Sequence, residues 1–169
     1  IDPYQIALSK SYGSDCILII IAALDAIENK IKSLNNFLNF KEVIANNTSV
    51  SLITEIKKAS PSAGELVKDF NHLNIAKMYV DNGATCLSVL TEEKHFLGKL
   101  DYIRDIKNKF KIPVFAKDFF IDPYQIALSK SYGSDCILII VAALDTKLAD
   151  EIYAEAIRHK LSVIVEVHD

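Results

Sequence analysis

At 169 residues, with 50% hydrophobic and 24% charged side chains, the chain has the usage of one ordinary globular domain with a real core. A formal charge of -3 and a pI near 5.8 leave no basic excess, which argues against nucleic acid as a partner. The longest apolar run, Cys16–Leu24, spans nine residues; it is too short for a bilayer and lacks signal-peptide flanks, so a soluble cytoplasmic protein with no membrane partner is expected.

The first feature in chain order is a repeat. IDPYQIALSKSYGSDCILII opens the chain at Ile1 and returns at Ile121; the match runs through Asp25 and Asp145, and only Ile21 against Val141 differs. Stacked-repeat families use a short period with drift and at least three units. A near-perfect pair so far apart is of another kind, and residues 1–25 read as a duplicate of 121–145. Residues 26–48 form a second unit, in which Ile27, Ile31, Leu34 and Phe37 with Leu38 carry helical spacing before the polar loop ANNTS. This unit reads as an N-terminal extension laid against a barrel or sheet.

Residues 49–169 carry five apolar runs of strand length: VSLITEIK, ATCLSVLT, IPVFAKDFF, DCILIIVAAL and LSVIVEVHD. Between them, helical spacing links Leu66, Phe70, Leu73 and Ala76 with Tyr79 and Val80, then Leu100, Ile103, Ile106 and Phe110, then Leu148, Ile152 and Ala156. A further helix is predicted from Asp122 as N-cap, with Pro123 at its first position and Gly133 ending it. Strands alternating with helices require right-handed crossovers and a parallel sheet, and runs without clear alternation fit strands covered on both faces. The fold class is α/β. Cys16, Cys86 and Cys136 lie in apolar stretches without C-x-x-C spacing, and read as packed thiols in a reducing compartment, with no metal site.

Charge at the carboxyl ends of these strands is the functional signal. Glu55 and Lys57 are two apart and share one strand face. Lys117 ends the third run, and Glu166 and His168 share a face at the end of the fifth. Each alone is readable as a solvated strand end. Together they place lysines and carboxylates where parallel α/β folds hold their reacting groups, and such groups exchange protons when their neighbours tune them. His168 reads more readily as a packed or hydrated strand-end histidine than as a substrate contact. KKASPSAGEL offers cations and hydroxyls to a phosphate, while Ser62 with Glu65 three residues on also fits a capping box for a following helix. Phe96, Phe119, Leu138 and Ile140 are either plain core or the walls of an apolar slot.

The motifs LITEIKKASPSAG, CLSVLTEEKHFLG, VFAKDFFIDPYQI, GSDCILIIVAAL and VIVEVHD, in this order, resemble indole-3-glycerol phosphate synthase from about Ala26 to Asp169. Thr54 stands where the family more usually has alanine, and Phe120 where an aliphatic is common. The resemblance implies a (β/α)8 TIM-type barrel, of which this chain would hold strands one to five. It implies a cofactor-free and metal-free carboxy-lyase of tryptophan biosynthesis that converts 1-(2-carboxyphenylamino)-1-deoxyribulose 5-phosphate to indole-3-glycerol phosphate. By the same resemblance Lys117 is the general acid of ring closure, Glu166 the acid or base of dehydration, and Glu55 a positioning and proton-transfer group. Lys57 would meet the substrate's anionic groups, Ser60 would touch substrate, and Phe96, Phe119, Leu138 and Ile140 would hold the aromatic ring.

Strands six to eight of the family barrel, which supply phosphate-holding turns, have no counterpart in these residues, so a poor catalyst is expected. The alternative is a catalytically silent, engineered or rearranged barrel fragment that self-associates through unpaired strand edges. Only one copy of the repeat fits the fourth-strand slot, and the other is expected at a different sheet edge. A phosphoribosylanthranilate isomerase reading suits EIKKASPS, AKDF and VEVHD less well.

Overall fold

A computed structural model describes residues 14–167. Helix α1 (Ser14–Ser33) and short helix α2 (Phe40–Ala45) precede strand β1 (Ile53–Ile56) and a small hairpin, β2 (Ala59–Ser60) and β3 (Gly64–Glu65). Then follow α3 (His72–Asp81), β4 (Cys86–Leu90), α4 (Leu100–Lys109), β5 (Val114–Lys117), α5 (Tyr124–Ser131), β6 (Cys136–Ile140), α6 (Thr146–Arg158) and β7 (Ser162–Glu166). All five long apolar runs are strands of one parallel sheet, ordered β1-β4-β5-β6-β7, with a helix between each successive pair from β1 onward. This is the α/β architecture expected of a partial (β/α) barrel.

Both faces of the sheet are covered, which is why the strands read as continuous apolar runs. On one face Ile56, Leu87, Val89, Val114, Ala116, Ile137 and Ile139 pack against helix residues Ala76, Ile103, Ile106, Ile126, Ile152 and Ala156. On the other, inner face, Cys86, Phe115, Cys136 and Leu138 cluster with Phe40 of α2, whose ring lies 6.2 Å from that of Phe115. Burial pushes the Cys86 and Cys136 thiols up to about 11 and about 12, so both stay protonated and inert, as packed thiols should. Among the described residues no cluster of potential metal ligands occurs, and no helix is long and apolar enough to cross a membrane. His168 and the side chain of Cys16 lie outside what is described.

The repeat folds in two ways. CILII forms strand β6 in its second occurrence, whereas the same letters in the first lie within α1. Isoleucine-rich segments have weak intrinsic preference, and context decides. The second copy sits between β5 and β7 and completes two ladders; the first runs on into AALDAIENKIKS, rich in helix formers. The expected second sheet edge for the first copy is therefore replaced, over its described part, by a helix that packs against α5 and crosses the expected unit boundary at 25/26.

Several predicted helix ends move. Leu34, Phe37 and Leu38 lie beyond α1, which ends where the Ser33 hydroxyl bonds back to the Lys30 carbonyl at 2.7 Å. Leu66 and Phe70 precede α3, because Asn71 caps that helix by accepting from Leu73 and Asn74 amides. Ser62 caps nothing: its loop is the β2–β3 hairpin, turned at Gly64 with φ +67, and Glu65 sits in β3 with Lys58 3.4 Å away. Helix α5 starts at Tyr124 with Pro123 as its cap position, although Asp122 still accepts the Tyr124 amide at 2.8 Å. Gly133 ends it at φ +102, where a Cβ would also press on the Lys107 side chain at 3.2 Å.

The extension is fastened at the amino ends of the strands. Asp135, wholly buried, accepts from the Leu38 amide at 2.7 Å, the Val114 amide at 2.9 Å and the Lys107 ammonium at 2.7 Å. Lys130 stacks over the Phe37 ring at 3.5 Å, and Lys30 over Tyr132 at 3.7 Å. Replacing Lys107 with Met strands the Asp135 carboxylate without its cation; a loss of about 3–5 kcal/mol is expected in urea unfolding, and an unchanged midpoint would contradict this anchoring role.

Candidate active site

The register of the parallel sheet sets which side chains meet at its carboxyl rim. Glu55 lies opposite Ser88, Leu90 opposite Lys117 and Ile140 opposite Glu166. Alternation puts Glu55 and Lys57 on the inner face with Leu90, Lys117, Leu138, Ile140 and Glu166. Although β4 separates β1 from β5, the Lys117 ammonium reaches Glu55 Oε2 at 2.7 Å, and Lys57 holds Oε1 at 2.6 Å. The three groups are partly exposed, with side-chain exposures of 38%, 29% and 31% for Lys117, Glu55 and Lys57, so water and ligand can reach them. Burial pushes the Glu55 carboxyl up, but hydrogen bonds from Lys117 and Lys57 and their charges outweigh it and hold the group below its ordinary value.

Beside this trio opens a cleft of about 440 Å³. Phe96, Phe119, Leu138 and Ile140 form its apolar walls, while Lys117 and Glu166 bring charge to it. The rings of Phe96 and Phe119 are 6.5 Å apart and tilted by 47°, so they pack on each other along one wall of the cleft. Eight of the nine residues singled out from sequence are thus joined, either by the ion pairs or by the cleft. Ser60 stands apart: it lies in the hairpin beside the site, where its hydroxyl accepts the Ala63 amide at 3.3 Å. The hairpin is tied to the Phe96 loop by the Ala59 amide, which donates to the Phe96 carbonyl at 3.2 Å.

Two cleft residues escape sequence reasoning. Asp118 follows Lys117 and takes the Thr91 hydroxyl at 2.6 Å; burial raises its carboxyl above the ordinary range against the hydrogen bonds of Thr91 and the Phe119 amide. Glu92 stands at the start of the Phe96 loop. The double acid in TEEK was the available signal, but a charge pair after a strand is usually a solvated turn. The two departures from the family pattern differ in their surroundings. Phe120 is buried in the helix-side core, and the Thr54 hydroxyl is buried with no hydrogen-bond partner among the described residues.

A larger cleft of about 1220 Å³ lies at the opposite ends of the strands, between the extension, α6 and β7. Within it Arg158 pairs with Glu155 at 2.7 Å and with Glu28 at 2.9 Å. It brings together none of the nine residues, and size alone does not make it the reacting site.

The depressed Glu55 carboxyl yields a pH prediction. Its stabilising contribution is present above the unfolded value of about 4.3 and is lost as pH falls through the lower folded value. Removing the cation in Lys117→Met should move the Glu55 titration upward, followed through its side-chain carboxyl carbon by NMR. A midpoint that stays in place would mean that Lys117 does not charge-pair with Glu55 in solution.

The sequence model of the indole-3-glycerol phosphate synthase family matches residues 23–169. Relatives bearing that name include proteins from Aliarcobacter butzleri, 43% identical over 148 residues (86% of this chain, 56% of the relative), and from Azospirillum brasilense, 45% identical over 149 residues (86% and 57%). Another from Legionella pneumophila strain Lens is 50% identical over 130 residues (77% and 50%). The chain spans about half the length of the curated relatives it matches. On the family model and these identities together, the chain belongs to the indole-3-glycerol phosphate synthase family.

Proposed function

We propose that the protein carries the ring-closing half of an indole-3-glycerol phosphate synthase site, a cytoplasmic carboxy-lyase of tryptophan biosynthesis acting on 1-(2-carboxyphenylamino)-1-deoxyribulose 5-phosphate. The observation that supports it most is the Lys117–Glu55–Lys57 trio at the rim of a cleft walled by two phenylalanines. In the reaction, the ring carbon bearing the carboxylate bonds to the ribulose C2 carbonyl carbon. The carbonyl oxygen takes up a proton and carbon dioxide departs; the new hydroxyl then leaves as water to give the indole.

Each step needs a residue on the chain. Lys117, released from Glu55 by the incoming substrate, gives its proton to the carbonyl oxygen as negative charge grows there. Glu55 keeps that ammonium aimed beforehand. Glu166, across the cleft, serves the proton transfers of dehydration, and Lys57 meets an anionic group of the substrate. Phe96, Phe119, Leu138 and Ile140 clamp the aromatic ring so that its reacting carbon faces the carbonyl, and Ser60 contacts the substrate from the hairpin. None of these steps calls for a metal or cofactor.

These 169 residues alone are expected to turn over slowly, because the phosphate-holding turns that the resemblance assigns to later strands are not among them. A second reading, a silent fragment that self-associates, draws on the terminal strands of the sheet, β1 and β7, where Ile53 and Val165 are exposed. Incubation with substrate while following indole fluorescence separates the two. The lyase reading expects slow turnover that falls by about a hundredfold or to background in Lys117→Ala. Equal rates in both proteins would remove it, and a purely monomeric mass in light scattering would remove the self-association.

A further inference from the structure

We propose that Glu92 is a positioning residue that builds the loop carrying Phe96 and so sets the ring-binding wall of the cleft. The inference rests on the ring-slot reading above and deepens it. Nothing in the ring-closing chemistry calls for a carboxylate at this position, yet it is the most heavily used side chain of the loop.

Its Oε2 accepts the amides of His95 at 2.7 Å and Phe96 at 2.9 Å, and its Oε1 accepts that of Lys94 at 3.0 Å. Its carbonyl accepts the Gly98 amide at 2.8 Å. One residue thus satisfies four backbone donors in succession around the turn, three of them through a charged acceptor, the stronger kind of hydrogen bond. The turn is one the chain would not adopt unaided. Leu97 sits at φ +53, in the left-handed region that a branched side chain avoids, and a Cβ on Gly98 would run into the Leu90 carbonyl oxygen. A local conformation of this kind persists only when its surroundings hold it, and the Glu92 carboxylate is the group that does so.

The consequence reaches the cleft through Phe96, which lines it together with Glu92. The Phe96 backbone is fixed on both sides, its amide by Glu92 and its carbonyl by the Ala59 amide of the hairpin. Its ring is thereby set 6.5 Å from that of Phe119. Without Glu92 the amides of residues 94–96 turn to water, the loop relaxes, and the ring leaves its place opposite Phe119.

The test is fluorescence titration of the protein with an N-alkyl 2-aminobenzoate, whose flat ring and carboxylate match the aryl end of the proposed substrate. Glu92→Ala is expected to weaken binding by about three- to tenfold, the value of one aromatic contact. Glu92→Gln, which keeps one acceptor oxygen on the turn, should recover most of it. Because the effect passes through Phe96, the double variant Glu92→Ala, Phe96→Ala should bind no worse than Phe96→Ala alone, a non-additivity that a general loss of fold would not produce. Wild-type binding with Glu92→Ala unaffected, or losses that add in the double variant, would overturn the positioning role. No binding by the wild type would overturn the ring slot itself, and the proposal with it.

Discussion

One ion pair organises the rim: the Lys117 ammonium on Glu55, formed between strands that do not touch. The two residues are 62 positions apart and reach each other only because β4 runs parallel between their strands in a register that brings Leu90 level with Lys117 and Ser88 level with Glu55. A slip of one residue in either ladder would turn Glu55 or Lys117 into the helix-side core. The apolar residues that fix the register, Ile56 and Ala116 on the helix side and Phe115 on the inner face, therefore determine this ion pair at one remove.

The two ends of the sheet divide the work. At the amino ends, Asp135 gathers Lys107 and the amides of Leu38 and Val114 into a closed, buried knot, and Phe40 covers the inner face. Asp135 and Lys107 satisfy each other there, and the thiols of Cys86 and Cys136 are held protonated by burial. At the carboxyl ends the ion pairs are partly open to solvent and the cleft walled by Phe96 and Phe119 is accessible. An ion pair of that sort is worth little to stability but can be exchanged for a ligand, as the proton-donating role proposed for Lys117 requires.

Much of this could be read from the letters. The five runs became strands because period and length agree with burial on both faces, and it was the set of charges at the ends of those runs, Glu55 and Lys117 among them, that pointed to the rim. Helix ends were less legible. Asn71, a side chain with no hydrophobic signal of its own, displaced the start of α3, and the hairpin at Gly64 took a segment that capping chemistry alone assigned to a helix. The fate of the repeat was the least legible, because CILII carries the same local preference in both copies and only the neighbouring strands distinguish them. Glu92 was hidden for a related reason: its role lies in backbone amides, which sequence patterns do not display.

The most direct measurement is a crystal structure with the ribitol form of the proposed substrate, in which a hydroxyl stands at the position of the reacting carbonyl. The account predicts the aryl ring in the cleft against Phe96 and Phe119, with the Lys117 ammonium turned from Glu55 onto that hydroxyl oxygen. A ligand seated in the cleft at the amino ends, or a Lys117 still closed on Glu55 with the hydroxyl out of its reach, would contradict it.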